Sequence, residues 1–243
     1  MNKSVMAAIF ATGLAVVGWV GWGFAGSSPL ALTMTVVIAA VYVLGAYELM
    51  QFRGATLSLG SSLNGLGHKP PTDLDAWLDC LHPSLRNPVR QRIDGERAPL
   101  PDPALATYLV GLLVMLGMLG TFLGMVVTFK GAVFALEASS SLESIRAALA
   151  APIKGLGLSF GTSVAGVAAS AMLGLMSTLC RRERLGVMRR LDAQIAGALR
   201  PFSAAHRRQA MFEALQAQAQ AMPLIAERLH GLMEGLERRH EQL

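Results

Sequence analysis

Four residues of one apolar stretch pose the chemical question. In LGMLGTFLGMVVTFKG, residues 116–131, Gly117, Thr121, Gly124 and Thr128 recur at steps of four, three and four. That spacing puts them on one face of a helix, and Gly120 lies on its flank. A second apolar stretch repeats the device. Ser159, Ser163, Gly166, Ser170 and Ser177 fall close to one line, with Thr162 at its edge. Small residues let backbones approach closely in a membrane. Hydroxyls add a weakly polar surface that orients water or accepts a hydrogen bond but does not titrate near neutral pH. Membrane proton relays normally use ionisable side chains, and residues 105–129 and 155–179 contain no Asp, Glu, Lys, Arg or His. Two readings stand. The stripes line a path whose titrating group comes from another helix, or they only pack helices.

The elements that must hold these stripes are legible in composition. The chain has 243 residues, 53% of them hydrophobic and only 15% charged. Soluble domains carry about 25% charge, so this balance indicates a membrane protein with soluble parts. A helical span needs roughly 20 predominantly apolar residues, and segments 5–25, 29–49, 105–129 and 155–179 qualify. The predicted fold is an all-α membrane protein with four transmembrane helices. It comprises an N-terminal hairpin (1–50), a cytoplasmic segment (51–104), a core transmembrane pair (105–180) and a cytoplasmic helical, coiled-coil tail (181–243). The link Gly26-Ser27-Ser28-Pro29 is short enough to make the first two spans an antiparallel hairpin. The first apolar run exceeds a signal peptide's usual core of about 7–15 residues, so it is read as a retained span.

Charge sets the orientation. Lys3 precedes the first span, and Arg53, Lys69, Arg86, Arg90, Arg92 and Arg97 lie between the second and third. Arg181, Arg182, Arg184, Arg189 and Arg190 follow the fourth, while the loop between the last two spans carries Glu137 and Glu143. The positive-inside rule then places both termini and segment 51–104 in the cytoplasm. Trp19, Trp22 and Phe24 fall at the outer interface, where aromatic belts sit. The arginines are read as solvated charges that set orientation, with contact of the basic tail to anionic lipid or nucleic acid as the alternative. Glu48, at the inner end of the second span, either snorkels to the interface or holds a buried, proton-carrying place.

Within segment 51–104, HKPPTDLDAWLDCLHP predicts one short helix. Asp73 or Thr72 would cap it, Pro83 would end it, and Trp77, Leu78 and Leu81 would form its apolar face. The segment is expected to be too small for a large core. His68, Cys80 and His82 fit no standard zinc spacing, and Cys80 and Cys180 are read as free thiols. Beyond Cys180, Met188, Leu191, Ile195, Leu199 and Phe202 recur at helical spacing. A second series, Met211, Leu215, Gln218, Met222, Ile225, Leu229, Leu232 and Leu236, alternates steps of four and three, the heptad signature. Pro201 and Pro223 are expected to bend or interrupt this helix. The series ends at ERRHEQL without a stop signal, so the coil is expected to continue in a longer natural chain. The chain holds no phosphate loop, no nucleophile–base arrangement and no paired carboxylates in a cleft-like context. It is expected to be no enzyme and to need no cofactor.

Two motifs carry a resemblance. GMLGTFLGM resembles the glycine- and threonine-rich span of the MotA/TolQ/ExbB proton-channel superfamily, whose typical form reads like G-L-L-G-T-x-x-G. APIKGLGLSFGTSVAG is similar to that family's next span, where Ala-Pro leads to a hydroxyl residue and then glycine. The match covers residues 109–179. The resemblance implies a pentameric ring of this subunit around a dimer of a single-span partner of MotB/ExbD/TolR type. The partner carries the titrating aspartate, and the assembly is an ion-driven, foremost proton-driven, rotary motor of the inner membrane. It assigns the ion path or partner contact to Thr121, Thr128, Ser159, Thr162 and Ser163. Thr162 and Ser163 compete for the second hydroxyl. Close helix packing falls to Gly117, Gly120, Gly124, Gly166 and Ser170. ExbB- and TolQ-type members have a glutamate near the start of the last span, whereas Gly157 and Leu158 stand here. The extra N-terminal hairpin looks more like flagellar stator subunits or the defence subunit ZorA, and the coiled tail is similar to the ZorA arrangement. Expected partners are further copies of the chain, the Asp-bearing dimer, membrane lipid and a cytoplasmic effector. The rival readings are a membrane-anchored coiled-coil scaffold and a self-sufficient homo-oligomeric channel.

Overall fold

The computed structural model describes residues 3–26, 28–66, 71–96, 98–137 and 142–240, and within the last three helices the side chains of 132, 134–137, 142–159 and much of 221–240 lie outside the described residues. Among the described residues, seven α-helices follow one another in this order. They are α1 (Lys3–Phe24), α2 (Pro29–Leu66), α3 (Leu74–Asp79), α4 (Pro83–Ile93), α5 (Ala104–Glu137), α6 (Leu142–Ala196) and α7 (Ala204–His240), with a single 3-10 turn at Arg200–Phe202 before α7. Four of them, α1, α2, α5 and α6, are long and apolar enough to cross a membrane. The protein is a helical membrane protein.

The chain divides into two compact units, 1–58 with 101–188, and 59–100 with 189–243. In the first, α1, α2, α5 and α6 enclose a core of Val17, Phe24, Ile38, Tyr42, Leu49, Leu109, Leu113, Leu173 and Met176. Gly26 takes a positive φ of 88°, which closes the turn between α1 and α2 at little steric cost. Tyr42 stacks on Phe10 with ring centroids 5.5 Å apart, and its hydroxyl donates to the Phe10 carbonyl at 3.2 Å. Large apolar side chains cover the outside of all four helices, among them Trp19, Trp22, Val36, Leu44, Met115, Phe122, Val127, Phe160 and Val164. Such a surface suits lipid rather than water.

The second unit has its own apolar core, built from Leu59, Leu63, Leu78, Leu81, Leu85, Val89, Ile93, Leu191 and Leu199. Its size departs from the expectation of a segment with little core. Two features supply it. Helix α2 runs past residue 50 to Leu66, and α4 presents Leu85, Val89 and Ile93 at steps of four on one face. Asp73 caps α3 as expected, its carboxylate accepting from the Asp75 amide at 3.0 Å. Pro83 does not mark the end of α3, which stops at Asp79 with Cys80 as its C-cap; it occupies the first turn of α4, where no amide donor is needed. Pro201 lies in the 3-10 turn between α6 and α7, whereas Pro223 sits inside α7 without ending it.

Candidate functional site: the α5–α6 seam and the polar layer of the span bundle

The two small-residue stripes meet each other. A Cβ placed on Gly166 would lie 2.6 Å from the Leu113 carbonyl oxygen and 2.7 Å from the Gly117 Cα. One on Gly117 would lie 3.1 Å from the Gly166 Cα, and one on Gly120 would lie 2.8 Å from Thr162 Oγ1. Glycine is what allows this backbone-to-backbone contact. Ser170 adds a hydrogen bond across the seam, its Oγ donating to the Val110 carbonyl at 2.8 Å. Thr162, Ser170 and Ser177 are buried. Within a single chain, this part of the stripes packs helix against helix.

The remaining hydroxyls are placed differently. Thr121 and Thr128 are half-buried, and so are Ser163 and Gly124. The Thr121 hydroxyl donates to the Gly117 carbonyl at 2.8 Å, and that of Thr128 to the Gly124 carbonyl at 2.7 Å. Back-bonding of this kind uses the proton and leaves the oxygen lone pairs able to accept. The side chain of Ser159 lies outside the described residues, as do those of Gly157 and Leu158. The structure thus separates the sequence-predicted residues into a packed set (Gly117, Gly120, Thr162, Gly166, Ser170) and a half-open set (Thr121, Gly124, Thr128, Ser163).

A second polar feature was not legible in the sequence. Arg53 and Arg184, read there as solvated, are buried. Arg53 Nε donates to Glu183 Oε2 at 3.1 Å. Arg184 is 4% exposed. Its Nη1 donates to Thr56 Oγ1 at 3.0 Å and its Nη2 to the Pro101 carbonyl at 3.2 Å. Its guanidinium stands 4.4 Å from the centre of the Phe52 ring, within cation–π range. Arg181 Nη2 donates to Thr107 Oγ1 at 2.9 Å. This layer ties α2, α6 and the lead into α5. Burying charge is tolerable because each head group makes at least one hydrogen bond, although the Nε atoms of Arg181 and Arg184 are buried without a partner among the described residues. The available signal was periodicity: Arg181 and Arg184 continue the helical face of Ser170, Ser177 and Cys180. Arg182, one step off that face, is exposed.

Glu48 also departs from simple snorkelling. Its Oε2 is buried and has no hydrogen-bond partner among the described residues. Neighbouring Tyr47 is 63% exposed.

Fold and site together define a four-span helical membrane protein with a glycine-tight helix pair and a buried arginine layer. Compared with models of known protein families and with curated proteins, the chain matches none.

Proposed function

We propose that this chain is a subunit of an ion-driven, foremost proton-driven, rotary motor of the bacterial inner membrane. Five copies surround a dimer of a single-span partner that carries an intramembrane Asp. Both termini face the cytoplasm, and the tail passes motion to a cytoplasmic effector. The reading rests on the ordered pair of motifs in α5 and α6 and on a division of labour between alcohol and acid. The observation that carries it is the Thr121 hydroxyl. It is half-buried and donates to its own helix at 2.8 Å, so it is free to accept from water or from a protonated partner carboxyl. No acid or base among the described residues of α5 interrupts the apolar run before Lys130, so the titrating group belongs to the guest helix.

The test is ion flux in vesicles reconstituted with the chain and its single-span partner. Thr121→Val keeps the shape and removes the hydroxyl, and it is expected to lower flux at least tenfold, or about 1.4 kcal/mol. Unchanged flux sinks the assignment. One observation favours a second reading, a scaffold without conduction: the Gly117–Gly166 contact already uses the centre of both stripes for packing. On that reading Thr121→Val leaves nothing to lose, and conduction is absent with or without a partner.

A further inference from the structure

The carboxylate of Glu48 has no place in the reading above, which puts all titration on the partner. It sits in α2 between core residues. Ala46 and Leu49 are buried, and a Cβ on Gly45 would lie 2.7 Å from Leu173 and 3.3 Å from Leu109. The second span therefore presses against both α5 and α6 at this level. Glu48 as a residue is partly exposed, but its Oε2 is buried and has no partner among the described residues, although buried polar atoms nearly always have one. An acidic group inside a span is a functional-site hypothesis by default.

The charged and titratable neighbours are otherwise engaged. Arg53, further along α2, holds Glu183 of α6. Arg184 is held by Thr56, Pro101 and Phe52 through its other guanidinium atoms, its Nε being buried without a partner among the described residues. Arg181 follows Cys180, whose thiol lies 4.0 Å from the Leu49 carbonyl. Its Nη2 is bound to Thr107, while its Nε is itself buried and unpartnered. The Tyr42 hydroxyl donates to Phe10. What the Glu48 oxygen lacks is a cation or a proton, and the structure supplies neither from its described side chains.

We propose that Glu48 is a cation-binding carboxylate of this chain's own, taking H⁺ or Na⁺ on its buried Oε2 at the inner end of the second span. The partial exposure of Glu48 itself leaves the carboxyl approachable from outside the helix bundle. The inference stands apart from the motor reading, because it requires no partner.

The probe is dicyclohexylcarbodiimide, an apolar reagent that adds across the O–H of a protonated carboxyl. The full-length chain alone, in detergent or lipid vesicles, is treated and its adducts are mapped by mass spectrometry. An adduct is expected at Glu48, absent in Glu48→Gln. If the ligand is H⁺, the yield falls several-fold from mildly acidic to alkaline pH and is indifferent to NaCl. If it is Na⁺, added NaCl at fixed pH protects several-fold. An adduct indifferent to both pH and NaCl overturns the proposal. So does an unmodified Glu48 in a chain whose other carboxyls react with a water-soluble carbodiimide, which instead points to an internal pair with Arg181. The wild-type readout stands even where the variant folds poorly, and none of these outcomes touches the Thr121 flux test.

Discussion

At the scale of single residues, closeness rather than chemistry dominates the α5–α6 seam. A side-chain carbon on Gly166 meets backbone atoms at 2.6 and 2.7 Å, and backbone cannot rotate away as a side chain can. Gly166→Ala must part the helices, and overpacking of this kind costs about 1–3 kcal/mol. Gly111, on the facing helix α5, has nothing within 4 Å of a notional Cβ. Gly111→Ala is expected to be neutral or slightly stabilising, because alanine is the better helix former. Reversible unfolding in mixed micelles measures both. Equal effects at the two positions would mean that the seam is not closed as described. The same residues mark the limit of sequence reading. The spacing of Gly117, Thr121 and Gly166 showed that a face existed, but not what lay against it. A stripe that receives a neighbouring helix of its own chain and one that receives a guest helix have the same composition. Only contacts split Thr162, sealed in the seam, from Thr121, half-open.

At the scale of elements, the spans were legible because their apolar runs are long. Segments 29–49, 105–129 and 155–179 fall inside α2, α5 and α6, and segment 5–25 overruns the end of α1 by one residue. Their ends were not legible. Helices α2 and α6 continue through polar sequence to Leu66 and Ala196, where hydropathy falls but helical hydrogen bonding goes on. The arginine layer was hidden for a related reason. Charge counting sees Arg53, Arg181 and Arg184 as orientation signals, while their placement depends on partners distant in sequence: Glu183 for Arg53, Thr107 for Arg181, and Phe52, Thr56 and Pro101 for Arg184. Helix α4 was missed because Pro83 was read as the end of the helix before it. Yet Leu85, Val89 and Ile93 form a full apolar face, and Leu85 is completely buried. Leu85→Ala is expected to cost about 2–4 kcal/mol through lost burial and a cavity. The exposed neighbour Asn87, mutated to alanine, is expected to shift stability by less than about 0.5 kcal/mol. Hydrogen exchange in residues 59–100 resolves the two, and a Leu85→Ala chain as protected as wild type removes α4 from the core.

At the scale of the whole molecule, the exposed apolar surface divides by composition. On α1, α2, α5 and α6 it belongs to helices apolar enough to cross a membrane, and lipid satisfies it. On α7 it does not. That helix carries His206, Arg207, Arg208, Glu213 and Arg228, yet it exposes Met211, Phe212, Leu215, Met222 and Met233. Met211, Leu215 and Met222 are members of the heptad series, and a row of that period is buried by a helix of the same period. The side chains of Ile225, Leu229, Leu232 and Leu236, which extend the series, lie outside the described residues. Copies of the chain are the occupant with a matching row, so the tail is expected to hold the assembly together outside the membrane. Met211→Ser with Leu215→Ser removes two members of the row without touching a span. Light scattering of the detergent-extracted complex is expected to give a smaller mass or a faster exchange of subunits for this variant. The wild type is expected to be five-fold symmetric when its single-span partner is co-expressed. A monodisperse monomer in the wild type, or a ring whose middle leaves no room for two further helices, would remove the basis for both the tail's role and the motor.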